Sequence, residues 1–263
     1  MNVSLPPLPA ALLESLRSIG YTLDTALADI VDNSITAKAG HISIRYLWNN
    51  GKPWIAVCDD GHGLSSNELI EAMRLGSRNP NERRAAADLG RFGLGMKTAS
   101  ISQCRQLTVI SRKGKTITGC DWDLDAIADG KSADWGVKPL KMATLSADVI
   151  LDGLISQHLP SGTSGTIVLW RKLDQNLGDS REVGGEHRFS AHMDSARKHL
   201  ELVFHRYLSP ALRRKKTVID FNKNPLKGFD PFGAPIPARQ ELTAEKIRIQ
   251  GHVIIVQPYV NAG

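Results

Sequence analysis

The sequence has few cysteines and no long apolar run, and both absences narrow the class of protein. Its three cysteines, Cys58, Cys104 and Cys120, lack CxxC spacing, so neither a disulfide framework nor a zinc site is indicated. No segment approaches the ~20 consecutive apolar residues that cross a bilayer, and no basic leader followed by an apolar run opens the chain. We therefore predict a soluble cytoplasmic protein with reduced thiols, neither secreted nor bound to a membrane.

Excess charge is absent from most of the chain and is concentrated in one segment. Residues 181–227 carry eleven Lys and Arg against five Asp and Glu, which accounts for the whole net charge of +6. The basic run at 213–216 can attract DNA phosphates by electrostatics. The alternative, favoured for such a run by itself, is a solvated turn that complements the negative end of a helix.

Hydrophobic periodicity and turn residues predict alternating helices and strands. The predicted helices cover 9–19, 23–39, 66–75, 95–103, 147–158 and 189–208. The second of them carries an apolar stripe made of Leu23, Ala26, Leu27, Ile30, Val31 and Ser34. The predicted strands cover 41–48, 54–58, 106–111, 116–122, 137–142, 165–170, 217–221 and 246–256, with turns at 49–52 and 113–114. Residues 175–186 are the best candidate for a linker because they are rich in glycine and charge.

The first of four segments with candidate functional residues places a carboxylate and an amide on one helix. Asp29 and Asn33 are four residues apart, so their side chains project from the same face of the helix over 23–39. The Asn33 oxygen is a neutral ligand of the kind that Mg²⁺ accepts, and Asp29 can orient or deprotonate a water. Taken alone, two solvated helix residues would be the better interpretation.

The second segment places a carboxylate in a glycine turn. Asp59 ends an apolar strand and is followed by Gly61 and Gly63. The carboxylate can accept a hydrogen bond from an exocyclic amine, while the glycines let the backbone approach a flat ring. This pattern indicates adenine binding, although an ordinary acidic turn would be the better interpretation of this segment alone.

The third segment is a glycine-rich loop that runs into a helix. Backbone N–H groups at a helix N-terminus and the nearby Lys97 ammonium favour a polyphosphate. The residues of this predicted phosphate cradle are Gly90, Arg91, Phe92, Gly93, Leu94, Gly95, Met96, Lys97 and Thr98. A P-loop is excluded because Met96 separates glycine from lysine, and a Rossmann fingerprint is excluded because the glycine order is inverted.

Four histidines, His187, His192, His199 and His205, lie in or beside the predicted helix 189–208. Their spacings of five, seven and six residues include no i,i+4 pair, so a metal site is not predicted there.

These segments, in this order and with Gly162 to Thr166 as a fourth, resemble the GHKL superfamily of gyrase, heat-shock chaperone, histidine kinase and MutL ATPases. Among its members, the sequence is similar to MORC-type ATPases and their bacterial relatives in the loop at 90–100 and the strand at 165–170. The resemblance is strong over about 23–112, patchy over 116–159 and moderate over 162–232.

The resemblance implies an α+β fold, a two-layer Bergerat sandwich with a mixed, mainly antiparallel sheet that binds ATP and Mg²⁺. Asn33 would bind Mg²⁺, Asp59 and Thr166 would hold adenine, and the loop from Gly90 would wrap the phosphates. Lys97 would meet a phosphate or, as an equal alternative, fix the lid at 76–92. Residues 1–234 would form the ATP-binding domain, and 235–263 would begin a transducer-like β domain in which no lysine, Lys246 included, can be assigned to the γ-phosphate.

The sequence departs from the family at the general base, where Asp29 replaces a glutamate that is one methylene longer. A displacement of ~1 Å can slow a reaction about a hundredfold, so slow hydrolysis is expected. The family implies an ATP-dependent homodimer clamp, with DNA as a candidate partner. An ATP-sensing interaction module with little hydrolysis is the alternative. Transfer of phosphate to a histidine ranks third, since no phosphoacceptor helix precedes the ATPase motifs in this sequence.

Overall fold

The computed structural model describes residues 8–18, 20–75, 95–128, 136–174, 184–209, 217–231 and 240–260. Its helices are α1 (Pro9–Arg17), α2 (Leu23–Thr36), α3 (Ser66–Met73), α4 (Gly95–Gln103), α5 (Leu124–Ala128), α6 (Met142–Ala147), α7 (Val149–His158), α8 (Gly185–Val203) and α9 (His205–Leu208). Its strands are β1 (His41–Leu47), β2 (Trp54–Asp59), β3 (Cys104–Lys113), β4 (Thr116–Asp123), β5 (Lys138–Pro139), β6 (Gly165–Leu173), β7 (Val218–Phe221), β8 (Asn224–Pro225), β9 (Gln240–Glu241), β10 (Glu245–Ile249), β11 (His252–Val256) and β12 (Tyr259–Val260). Among these helices, none has the length and apolar character that would let it cross a membrane.

An eight-stranded mixed sheet forms the centre of the fold, in the order β5-β4-β3-β6-β2-β1-β7-β8. Every neighbouring pair is antiparallel except β1 and β7, which run parallel. This order brings the end of β2 beside the start of β6, with Asp59 paired to Thr166. The α+β fold with a mainly antiparallel sheet is therefore confirmed.

The main core lies between one face of the sheet and helices α2, α4 and α8. The predicted apolar stripe of α2 is buried, because side chains three and four residues apart share one helix face. Its buried members are Ala26, Leu27, Ile30, Val31 and Ser34. They join sheet residues such as Ile42, Val57 and Val109 in one cluster. Because this stripe faces the sheet, the packing determines the direction in which Asp29 projects from α2.

Helices α6 and α7 cover part of the opposite face of the sheet. Leu145, Leu151 and Leu154 pack with sheet residues that alternate with those of the main core, including Ala56 and Ile167. Side chains in a strand point alternately to the two faces, so the central strands are buried on both sides. Cys58 belongs to this smaller cluster, so Asp59, the next residue of β2, points to the opposite face, where it contacts Ser34 of α2.

Most predicted elements are confirmed, and the differences arise at their ends. Helix α2 ends at Thr36 instead of 39, because the chain turns at Lys38 with a φ of 64°. The expected strand at 137–142 is reduced to β5, and Met142 begins a helix instead. The long helix begins at Gly185, inside the expected linker, and its last turn is separated as α9 after Phe204.

The expected strand at 246–256 is a hairpin, with β10 and β11 joined at Gln250 and Gly251, which both have positive φ. All residues of 240–256 are exposed, and β9 pairs with β12 in a second small sheet. The boundary of two domains near residue 235 stays a prediction. The predicted lid at 76–92 and the linker part at 175–183 lie outside the described residues.

Candidate functional site

Asp29 lies on α2 with its carboxylate directed toward the start of α4. Its Oδ2 accepts a hydrogen bond from the Tyr21 hydroxyl at 2.9 Å. A methyl group placed on Gly95 would lie 3.8 Å from the same oxygen. The structure therefore brings the first and third predicted segments together at the N-terminus of α4. Helix N-termini favour negative charge, so this is a suitable place for a nucleotide phosphate.

Asn33 follows Asp29 by one helical turn and is exposed. Its Nδ2 donates to the Asp29 carbonyl oxygen at 2.8 Å. This bond fixes the amide plane, and no partner for Oδ1 is found in the described part of the chain. The donor that a hard cation prefers, the oxygen, is thus the one left for a ligand.

Asp59 is a nearly buried carboxylate, 7% exposed, at the end of β2. Its Oδ2 accepts from Ser34 Oγ at 3.0 Å, and its Oδ1 accepts from the Gly61 N–H at 2.9 Å. Burial raises the pKa of Asp59 to about 6, although these hydrogen bonds oppose the shift. A carboxylate offers about four lone-pair sites, so it can accept a further hydrogen bond from a ligand amine.

Glycines let the turn after β2 approach its neighbours closely. Gly63 has a φ of +66°, and a Cβ there would overlap the Arg112 carbonyl oxygen. Gly165 has a φ of +151°, and a Cβ there would overlap the Asp59 carbonyl oxygen. At Gly61 a Cβ would lie 2.8 Å from the Ala37 carbonyl oxygen. Close packing thus accounts for the glycine at all three positions.

The second and fourth segments are joined by hydroxyl groups. Ser111 Oγ lies 3.0 Å from Thr166 Oγ1, donates to the Gly165 carbonyl oxygen and accepts from the Leu64 N–H at 2.7 Å. Ser164 Oγ donates to the Gly61 carbonyl oxygen at 2.7 Å. These bonds hold the two segments together where Asp59 and Thr166, the two residues predicted to hold adenine, are paired across β2 and β6.

Three contact residues were missed by the sequence analysis. Ser34 was counted in the apolar stripe of α2, and a hydroxyl in such a stripe is a signal that a polar partner lies opposite. Ser111 and Tyr21 have no local signal, because their partners are 54 and 8 residues away in the chain.

Lys97 is buried, 1% exposed, and its ammonium contacts the end of α3. Nζ donates to the Ala72 carbonyl oxygen at 2.8 Å and to the Arg74 carbonyl oxygen. Those carbonyls immediately precede the predicted lid. This position agrees with the alternative in which Lys97 fixes the lid, while its contact with a phosphate stays a prediction.

The other residues of the third segment lie partly within the described ranges and partly outside them. Met96 is half-buried against the main core, and Thr98 Oγ1 donates to the Gly95 carbonyl oxygen at 3.4 Å. The remaining predicted cradle residues, Gly90, Arg91, Phe92, Gly93 and Leu94, lie outside the described residues. Their contact with phosphates therefore stays a prediction.

Known proteins with related sequences cover short parts of this chain. ATPase morc-1 of Caenorhabditis elegans is 29% identical over 94 residues, 36% of this chain and 11% of that protein. Calpain small subunit 2 of Mus musculus is 32% identical over 77 residues, 27% of this chain and 31% of that protein. The human calpain small subunit 2 is 31% identical over the same length. The chain thus spans only a minor part of each of these relatives.

A family comparison covers a much larger part. The family described as "Histidine kinase-, DNA gyrase B-, and HSP90-like ATPase" matches residues 21–157, which is over half of the chain. The matched range contains Asp29, Asn33, Asp59 and all of α4. The resemblance stated from the motifs is thereby confirmed, and this chain belongs to the family of histidine kinase-, DNA gyrase B- and HSP90-like ATPases.

Proposed function

We propose that this protein binds ATP with Mg²⁺ and hydrolyses it slowly to ADP and phosphate. The observation that carries the proposal is the buried Asp59 carboxylate, held by Ser34 and the Gly61 N–H beside Thr166. A carboxylate so placed accepts a hydrogen bond from the exocyclic amine of adenine, and the glycine turn lets the ring approach. Membership of an ATPase family supports the same ligand.

The proposed catalytic residue is Asp29. Its carboxylate faces the start of α4, where the phosphate groups would meet the helix N-terminus. A water between Asp29 and the terminal phosphate would lose its proton to the carboxylate as it attacks. The loop from Gly90 to Thr98 would surround the phosphates, and residues 76–92 would close over them as a lid.

Asn33 is the proposed protein ligand of Mg²⁺. The described residues include no cluster of three His, Cys, Asp or Glu side chains suited to a metal ion. In this proposal waters and phosphates supply the other ligands, as is usual for Mg²⁺. The exposed Asn33 Oδ1 fits such a site, because its amide is already oriented by the Asp29 carbonyl oxygen. When bound, the cation would neutralise charge on the phosphates.

The test of this function is phosphate release with and without Mg²⁺, in the wild type and in Asp29→Asn. We expect release to depend on Mg²⁺ and to fall at least about a hundredfold in Asp29→Asn, the lower range for removal of a general base. Binding of a non-hydrolysable ATP analogue should survive the substitution. Equal turnover in the two proteins would exclude Asp29 as the base.

A second candidate is an ATP-sensing interaction module that hardly turns ATP over, and the short side chain of Asp29 favours it. Asp29→Glu introduces the longer side chain that the family resemblance implies for the general base. Hydrolysis limited by this reach should rise in Asp29→Glu, by up to about a hundredfold. A variant that binds ATP but stays without turnover would favour the sensing module.

We also infer that ATP closes a homodimeric clamp, with DNA as a candidate partner. Of the excess charge in 181–227, the run at 213–216 lies outside the described residues, and Arg197 in α8 is paired with Glu201. The proposal of DNA binding is therefore supported by the amino-acid sequence alone. Mass measurement in solution with and without the ATP analogue tests the dimer, and DNA retardation across salt concentrations tests the clamp.

The proposed location is the cytoplasm. Cys58, Cys104 and Cys120 are all unpaired and buried, which agrees with a reducing compartment. Localisation of the tagged protein in cells provides the test.

A further inference from the structure

Tyr21 lies between α1 and α2, ahead of the first predicted segment, and its hydroxyl reaches the proposed catalytic carboxylate. The hydroxyl donates to Asp29 Oδ2 at 2.9 Å. Its ring packs against the main core and is half-buried. A rigid aromatic side chain with only two rotatable bonds holds its hydroxyl in place at a small entropic cost.

The backbone of Tyr21 is itself anchored to α4. Gln103, at the end of that helix and 3% exposed, donates from Nε2 to the Tyr21 carbonyl oxygen at 3.2 Å. Burial and the Asp29 carboxylate raise the pKa of the Tyr21 phenol, and the Thr98 side chain on α4 opposes that shift. Tyr21 therefore connects α4, which carries the proposed phosphate site, with the residue of α2 that would activate the water.

The single contact leaves the two carboxylate oxygens of Asp29 unequal. Oδ2 is occupied by Tyr21, whereas Oδ1 accepts no hydrogen bond from any residue that the structure describes. An aspartate can exchange between its rotamers unless a partner holds it in one of them, and catalysis requires a fixed geometry. The hydroxyl thus fixes one oxygen and leaves the other for a water.

We propose that Tyr21 is a positioning residue for hydrolysis, which holds Asp29 Oδ2 near the start of α4 so that Oδ1 can accept the proton of the attacking water. The inference rests on the proposed ATPase function. It explains how an aspartate can act where the family resemblance implies a glutamate, since the hydroxyl restricts the shorter carboxylate to one orientation.

The experiment compares Tyr21→Phe with the wild type in steady-state ATP hydrolysis. We expect kcat to fall about 10- to 100-fold, the range for loss of one hydrogen bond to a charged group, with KM for ATP unchanged. Affinity for a non-hydrolysable analogue should also be unchanged. A merely structural role would lower affinity and stability together with kcat.

Tyr46→Phe is the matched control. Tyr46 packs on Phe189 and Phe221 in the core, away from Asp29. Like Tyr21→Phe, this substitution removes one phenol hydroxyl and keeps the aromatic ring. It should leave kcat unchanged. Tyr21→Met, which keeps an apolar side chain without a hydroxyl, should reproduce the loss seen in Tyr21→Phe, and unfolding curves of each variant verify that the fold is retained.

A double-mutant cycle with Asp29→Asn separates this inference from the proposed function. Tyr21→Phe should cause no further loss in the Asp29→Asn background, because the two residues act as a unit. Loss of activity in Asp29→Asn with full kcat in Tyr21→Phe would overturn the positioning role alone. Turnover in Asp29→Asn equal to that of the wild type, or no turnover in either, would overturn the ATPase mechanism and the positioning role together.

Discussion

The Lys97 ammonium donates a hydrogen bond of 2.8 Å to the Ala72 carbonyl oxygen, so α4 is tied to the last turn of α3. The carbonyls at the end of a helix lack partners within it and carry partial negative charge. A buried lysine satisfies them here, immediately before the residues of the predicted lid. Lys97 therefore couples the position of α4 to the end of α3.

Replacement of Lys97 by methionine should destabilise the protein in the absence of nucleotide. The Ala72 and Arg74 carbonyl oxygens would lose a charged donor at a partly buried position, which costs about 1–3 kcal/mol. Urea unfolding measures the loss. Lys113→Met is the control, because Lys113 is exposed and pairs with Glu68 on the surface, where an ion pair contributes little. Equal unfolding midpoints for wild type and Lys97→Met would exclude the structural role.

Asp59→Asn should separate nucleotide binding from stability. The variant loses the charged acceptor for the adenine amine, so analogue affinity should fall at least about tenfold. The buried carboxylate has a pKa raised by desolvation, so a neutral amide should leave the free energy of unfolding at pH 7 equal or higher. Isothermal titration and urea unfolding give the two quantities.

Asp60→Asn is the matched control for that substitution. Asp60 is exposed and accepts from the Gly40 and His41 N–H groups at 2.7 and 2.8 Å. Its replacement should lower stability without changing analogue affinity. The opposite pattern, with full affinity in Asp59→Asn, would contradict the adenine assignment.

Analogue affinity should also depend on pH through Asp59. Since the pKa of Asp59 is about 6 in the folded protein, the carboxylate is increasingly protonated below that pH, and affinity should decrease. Titrations at pH 5, 6 and 7.5 measure the decrease, which should be absent in Asp59→Asn. A flat profile in the wild type would show that the ionised carboxylate is not required.

The Asp59 carboxyl group should make stability depend on pH in the opposite direction to analogue affinity. Its folded pKa of about 6 lies above its ordinary value of 3.8, so the folded protein holds this proton to a higher pH than the unfolded chain does. The contribution of Asp59 is therefore fully present below pH ~4 and is lost as pH rises to about 6. Comparison of wild type and Asp59→Asn in urea at several pH values isolates it.

Gly63→Ala should be more damaging than Gly114→Ala, although both residues have left-handed backbone with φ of +66° and +62°. The left-handed conformation alone costs about 1–2 kcal/mol in a residue with a Cβ. Nothing lies within 4 Å of a Cβ at Gly114, whereas at Gly63 it would overlap the Arg112 carbonyl oxygen. The loss at Gly63, measured by urea unfolding, should be at least about twice as large. Similar losses would mean that the turn can move away from β3.

Sequence pattern predicted the local elements that depend on neighbouring residues. The helix predicted from residue 66 begins there, where Ser65 and Glu68 form a capping box, and Gly95–Gln103 has the predicted bounds. Elements that depend on distant partners were less predictable. Only two residues of the expected strand at 137–142 pair, because the edge of the sheet offers β5 a partner at β4 alone.

The sequence by itself determined the family and the candidate chemistry, because the spacing of Asp29 and Asn33, the turn after Asp59 and the glycine loop are local patterns. Only the tertiary structure decided which groups meet. It placed Ser34 against Asp59, Tyr21 against Asp29 and Lys97 against the end of α3. These partners lie on different elements, and their contacts arise from the packing of α2 and α4 on the sheet, which no local periodicity encodes.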